Sequence, residues 1–254
     1  MTRGLGITIN PKIGVGDTVQ FSSVPENYFL STGEMLIDES RCWIFDHNPY
    51  IDRTNTAKET IELWNFGHHN KWRFKCPRTE GPQVYTSNAE IWANALGVKN
   101  PKLNRPKLYQ YERFPFQDRK TILLHVDGKS HGNMPDHIID HVIKKYKPTG
   151  QLFQIGRGFD IGLPRIQTET LWDLAKVVAE SRMLIGMDSG PSWIAACYPD
   201  VVVKKIRTRQ CEEELQNWVP LEVRNIHSHW DDRCHQVFNQ TDFDVGFTSS
   251  YRRI

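Results

Sequence analysis

The sequence predicts an α/β protein of two domains, each with a parallel sheet, and three observations carry that expectation. Between Thr121 and Ile206, apolar runs and helical patterns alternate four times, as right-handed βαβ crossovers require. Three short runs of strand type recur in the first 118 residues. A polar stretch from Val98 to Asp118, holding Pro101, Pro106 and Pro115, separates the halves. The expected domains are therefore 1–118, linker included, and 119–254, with a C-terminal tail.

In the first half, Leu5–Ile9, Met35–Ile37 and Trp43–Phe45 read as short strands. Asn88 caps a helix that carries Ile91, Trp92 and Leu96, and Gly97 ends it. In the second half, Thr121–Val126 has the continuous apolar character of a buried strand. Ile138, Ile139, Val142, Ile143 and Tyr146 then recur on one helical face. Asn133 and Pro135 stand where this helix should start, and Lys144, Lys145 and Lys147 precede Pro148 and Gly150 where it should stop. Leu152–Ile155 is the next strand. Thr168 or Thr170 caps a helix whose stripe is Leu171, Leu174, Ala175 and Val178. Met183–Met187 is again a strand, Pro191 opens a helix with Ile194, Ala195 and Ala196, and Val201–Val203 is the last strand of the series. The final forty residues are polar and aromatic, and no structural reading follows from them.

A chain of 254 residues can bury a sizeable core, and 39% hydrophobic with 24% charged residues suits a globular protein. No run approaches the roughly 20 apolar residues a spanning helix needs, and the first residues lack the apolar stretch of a signal peptide. The expectation is a soluble, cytoplasmic protein with no transmembrane segment. Five cysteines, Cys42, Cys76, Cys197, Cys211 and Cys234, form an odd set without a CxxC pair. They read as reduced thiols, neither a disulfide framework nor a zinc ribbon. A net charge of +2, from 32 basic and 30 acidic residues without a dense basic block, argues against nucleic acid as a partner.

Two segments carry chemistry. Met183–Ala196 is a strand that ends in a small polar turn, Asp188-Ser189-Gly190, and opens directly into a helix at Pro191. Unpaired N–H groups and the positive end of the helix dipole suit an anion there. Gly190 allows close backbone approach, Pro191 removes no needed donor, and Ser189 and Ser192 offer hydroxyls. Asp188 holds the turn or accepts a ribose hydroxyl. Local chemistry leaves open a plain capped turn. The second segment, Lys12–Val19, follows the first strand with Gly14 and Gly16, and lacks both the GxGxxG spacing and a P-loop Lys-Ser/Thr pair. Asp17 at a helix start suits a general base, and equally a cap.

Together these segments resemble the heptosyltransferase-like glycosyltransferases of family 9, which have the GT-B fold of two Rossmann-like domains facing a central cleft. Gly16-Asp17 matches the family's Gly-Asp acceptor loop. Asp188-Ser189-Gly190-Pro191 followed by Ala195-Ala196 matches its diphosphate-binding turn, and Thr170–Ala179 matches the helix before it. Trp193 and Gln20 stand where the family usually has His, and Gly132 where it has the lysine that neutralises the diphosphate; Lys129 is the nearest substitute.

The resemblance implies an inverting, metal-independent transfer of a heptose or hexose from a nucleotide diphospho-sugar. The acceptor would be a hydroxyl of a carbohydrate, glycolipid or protein, and the only small-molecule requirement is the nucleotide-sugar co-substrate. It implies Asp17 as the base, in an acceptor-side loop with Gly14, Gly16 and Thr18. It implies donor contacts from Lys129, Arg157, Asp188, Ser189, Gly190, Pro191 and Ser192. The alternative is a catalytically silent nucleotide-sugar-binding or regulatory protein of the same fold.

Other polar groupings give weaker signals. His137 and His141 share a helical face without an HExxH pattern, and the His227, His229, Cys234 and His235 group has no zinc-type spacing. Cys197 reads as a core thiol.

Overall fold

The computed structural model describes residues 4–11, 13–62, 73–75, 82–84, 88–99, 106–109, 119–128, 133–187, 189–207 and 235–239. The chain forms two compact units, Met1–Gln110 with Trp218–His227, and Tyr111–Asn217 with Ser228–Ile254.

The first unit starts with β1 (Leu5–Thr8), followed by α1 (Val15–Phe21) and α2 (Val24–Thr32). Gly33, with φ 74, turns the chain out of α2, a left-handed conformation that glycine adopts without strain. β2 (Leu36–Asp38), β3 (Ile51–Asp52) and β4 (Glu59–Glu62) complete a four-stranded sheet ordered β3-β2-β1-β4. Every pairing in it is parallel. A separate antiparallel ribbon joins β5 (Arg73–Lys75) to β6 (Pro82–Val84). α3 (Asn88–Ala95) brings Trp92 edge-on to Phe21, with ring centroids 5.3 Å apart.

Trp43–Phe45, read above as a strand, is instead one turn of 3₁₀ helix. Arg41 and His47, on either side, have φ of 50° and 57°. These backbone reversals tuck Ile44 and Phe45 into the core and leave no extended partner-facing edge. Arg53 ties the segment down through the buried Asp38, through Asp46 and through the Cys42 carbonyl. Burial pushes the Cys42 thiol up to about 11. Of the expected linker, Pro106–Tyr109 packs on the first unit: the Lys107 N–H donates to Ser22 Oγ at 2.9 Å and its ammonium meets Glu26.

The second unit contains β7 (Ile122–His125), α4 (Asp136–Tyr146), β8 (Leu152–Ile155), α5 (Leu171–Glu180), β9 (Met183–Met187), α6 (Gly190–Ala196), β10 (Val202–Arg207) and β11 (His235–Asn239). The sheet runs β11-β10-β9-β7-β8, all parallel. Alternation of side chains along each strand divides its residues between two helical layers. Ile122, Leu124, Ile185, Met187 and Ile206 join Ile138, Ile139 and Val142 of α4 in one core cluster. Each such apolar side chain, fully buried, contributes about 1.5–3 kcal/mol. Lys204 points the same way and donates to the Tyr146 hydroxyl at 2.9 Å. Lys205, the next residue, faces α6 and carries its ammonium 4.4 Å from the centre of the Trp193 ring.

Thr170 caps α5 with a complete capping box: its side chain accepts from the Asp173 N–H, and the Asp173 carboxylate reaches back to the Thr170 N–H. At the β8 border of the sheet, Gln154 bridges to the segment around Arg165. The Gln154 N–H donates to the Pro164 carbonyl and the Ile166 N–H donates to the Gln154 carbonyl, at 2.9 and 3.0 Å.

Candidate functional site

In an open parallel sheet, ligands bind outside the carboxyl ends of the strands where the strand order reverses. In the second unit the chain passes from β7 outward to β8 and then returns to the other side of β7 as β9. The reversal therefore lies between β7 and β9. His125 ends β7, and the Ser189 turn follows β9, so both stand at this point.

The turn is well braced. Ser189 is the N-cap of α6, with Gly190 and Pro191 as its first two residues. Pro191 has no N–H, and the Ser192 and Trp193 N–H groups donate to the Ser189 carbonyl at 3.1 and 3.3 Å. Ser192 is fully buried and donates its hydroxyl to the Met187 carbonyl at 2.7 Å, so its side chain holds the turn from beneath. Ser189 is partly exposed. Its hydroxyl lies 3.2 Å from the Met187 carbonyl and 3.2 Å from His125 Nδ1. Asp188 and Lys129 lie outside the described residues.

His125 was not singled out by sequence, because a histidine inside an apolar strand reads as core. It is 6% exposed, and burial holds its pKa below the usual value, against the opposing pull of the Asp127 carboxylate. Asp127 joins two loops: its Oδ2 accepts the Gly158 N–H at 2.7 Å, while its buried Oδ1 has no hydrogen-bond partner among the described residues. Glycine is needed at both positions that face this pair. Gly156 has φ 98, and a Cβ there would meet Asp127 Oδ2 at 2.8 Å; one on Gly158 would lie 1.7 Å from Oδ1. Arg165 and the Gln154 amide hold the same loop through the Gly158 and Phe159 carbonyls. Arg157, between the two glycines, is exposed on this fixed loop.

The first unit has its own reversal, between β1 and β4, and the Gly14–Thr18 segment follows β1 there. Asn10 bonds Glu62 across it at 2.8 Å. Gly14 is the N-cap of α1, Gly16 its second residue and Asp17 its third. Asp17 Oδ2 comes within 3.5 Å of where a Gly14 Cβ would stand, so the carboxylate leans over the helix start, where the dipole favours a negative charge. Thr18 is buried and its hydroxyl donates to the Gly14 carbonyl at 3.0 Å, closing the turn.

Among the described residues, no group of three or more His, Cys, Asp or Glu side chains is placed to hold a metal ion. No helix among them is long and apolar enough to cross a membrane. Cys42 and Cys197 are not in disulfides, and the Cys197 thiol bonds the Trp193 carbonyl inside the core. Cys76, Cys211, Cys234, His227 and His229 lie outside the described residues.

No protein-family model matches the sequence, and no curated protein matches it either. Solved structures do match the fold. The iron-containing dodecameric glycosyltransferase TibC from enterotoxigenic E. coli H10407 superposes with a TM-score of 0.59 at 17% identity, over 81% of this chain and 58% of that one. This chain thus spans 58% of the TibC chain. A glycosyl transferase family 9 protein from Veillonella parvula DSM 2008 gives 0.63 at 14% identity, over 96% and 88%. The E. coli heptosyltransferase WaaC with ADP gives 0.53 at 11%, over 80% and 86%. The described architecture, two α/β units each with a parallel sheet, is therefore the GT-B-like fold of the family 9 glycosyltransferases.

Proposed function

We propose that this chain transfers a sugar, a heptose or hexose, from a nucleotide diphospho-sugar to an acceptor hydroxyl, with inversion and without a metal ion. The observation that carries the reading is the braced Ser189 turn opposite His125, at the strand-order reversal of a fold shared with enzymes of that class. ADP-heptose is bound by TibC and ADP by WaaC, which supports a nucleoside diphosphate as the ligand class.

In this reading the diphosphate lies against Ser189, Gly190 and Pro191, with Ser192 holding the turn and Asp188 beside it. Gly190 lets the ligand approach the backbone, and Arg157, with Lys129, supplies positive charge. The Gly190 N–H, the one at this helix start not given to Ser189, and these side chains meet the charge that develops on the leaving diphosphate. Asp17 takes the proton from the attacking acceptor hydroxyl, and the sugar–phosphate bond breaks as the new glycosidic bond forms. Gly14 and Gly16 leave room for the acceptor at the start of α1. The acceptor is a carbohydrate, glycolipid or protein hydroxyl, and the reaction takes place in the cytoplasm.

A thermal-shift screen with ADP, UDP, GDP, CDP and dTDP tests the reading. A diphosphate present at 100 times its dissociation constant adds about 2.7 kcal/mol of stability. A flat response to all five sinks the proposal.

A further inference from the structure

His125 is enclosed on several sides by groups that matter to the donor turn. Its Nδ1 lies 3.2 Å from Ser189 Oγ. A side chain on Gly156 would meet its Cδ2 at 2.9 Å and its Nε2 at 3.2 Å, and one on Gly186 would meet its Cβ at 3.1 Å. Strand register sets His125, Gly186 and Lys205 in one row across β7, β9 and β10, and Gly186 contributes no side chain between the other two. Among the described residues, the charged group that acts on the ring is Asp127, on the loop beyond β7; the fully buried Lys205 lies against Trp193.

We propose that His125 takes up a proton when a nucleoside diphosphate binds at the Ser189 turn, and that it acts as the positioning residue for the Ser189 hydroxyl. The inference rests on the donor-site reading above. One hydroxyl carries one proton. With no ligand bound, Ser189 Oγ is equidistant from His125 Nδ1 and from a Met187 carbonyl that already accepts the Ser192 hydroxyl. A proton from bulk water on the ring makes Nδ1–H a donor to the Ser189 oxygen. The hydroxyl then donates its hydrogen bond to a phosphate oxygen and keeps its proton; the one bond made is the ring N–H, from a proton supplied by water. Burial opposes a charged ring in the empty protein; Asp127 and the incoming anionic diphosphate favour it. Protonation and binding therefore reinforce each other.

Calorimetric titration with ADP at pH 7, in two buffers of different ionisation enthalpy, reads the proton count directly. Wild type is expected to take up a substantial fraction of one proton more than His125→Asn, whose amide can still bond Ser189 but cannot titrate. Wild-type affinity should also fall as pH rises from 6 to 8, by up to about tenfold per unit for a full proton. The smaller slope left in the variant belongs to the ADP phosphates. Should His125→Asn not fold, His125→Gln serves the same comparison. Equal proton uptake in wild type and variant overturns this inference alone. Failure of the wild type to bind any of the five diphosphates overturns the donor reading, and this inference with it.

Discussion

The Asp127 carboxylate and the Gly158 backbone occupy each other's space: Oδ2 accepts the Gly158 N–H at 2.7 Å, and Oδ1 lies 1.7 Å from where a side chain on residue 158 would begin. Gly158→Ala should therefore push the two loops apart. The expected loss of stability is roughly 1–3 kcal/mol, the usual range for overpacking and for a broken buried hydrogen bond. Because the clash is with one side chain, adding Asp127→Ala should recover part of that loss, a coupling that urea denaturation of the single and double variants measures.

Gly190 opens α6 directly after Ser189. Gly190→Val places a branched side chain where the diphosphate would approach, on a partly exposed residue whose backbone any amino acid can adopt. Nucleoside diphosphate binding should be lost by calorimetry while the melting temperature changes little. Unchanged affinity would place the ligand elsewhere.

Asp17 separates its two uses cleanly. General-base assistance contributes about 10² to 10⁴ in rate, whereas a helix-start carboxylate contributes well under about 2 kcal/mol of stability. Asp17→Asn keeps an acceptor oxygen and the side-chain shape. Sugar transfer is expected to fall at least about a hundredfold with donor affinity and melting temperature nearly unchanged; full turnover in the variant would move the base to another residue.

The buried His125 makes the ligand-free protein sensitive to acid. Its folded-state pKa is held below the 6.5 of an unfolded histidine, chiefly by burial. At pH 7.5 both states are neutral and the group adds no pH dependence. As pH falls below 6.5 the unfolded chain gains the proton first, so stability declines until the pH reaches the depressed folded value. Urea midpoints at pH 7.5 and 5.5 should show this decline in wild type and a smaller one in His125→Asn. An equal decline in both would assign the acid sensitivity to other groups.

The second unit was legible because its strands are continuous apolar runs and its helices carry clean stripes and caps. Leu152–Ile155 and Met183–Met187 form at the expected residues, and Thr170 is the cap. In the first unit, Trp43–Phe45 misled because three apolar residues cannot by themselves distinguish a strand from a turn that buries two of them. Strand β4 gave no signal, since Glu59-Thr-Ile-Glu62 is polar and solvent-facing and is held by pairing with β1. The Ser189 turn and the Gly14–Thr18 segment announced themselves through glycine and small polar residues at a strand end. His125 and Lys205 did not, for their role depends on register: only the alignment of β7, β9 and β10 sets them on either side of Gly186.

The bridge from Gln154 to the Arg165 segment has a consequence for assembly. An outer strand with unused N–H and C=O groups is a template on which another chain can add a strand. On β8 the central residue already gives its N–H to Pro164 and receives that of Ile166, and its side chain holds the Phe159 loop as well. A foreign strand would first have to peel this segment away and undo the loop that carries Arg157. The protein thus guards that border against runaway polymerisation with the same stretch of chain that holds the Phe159 loop.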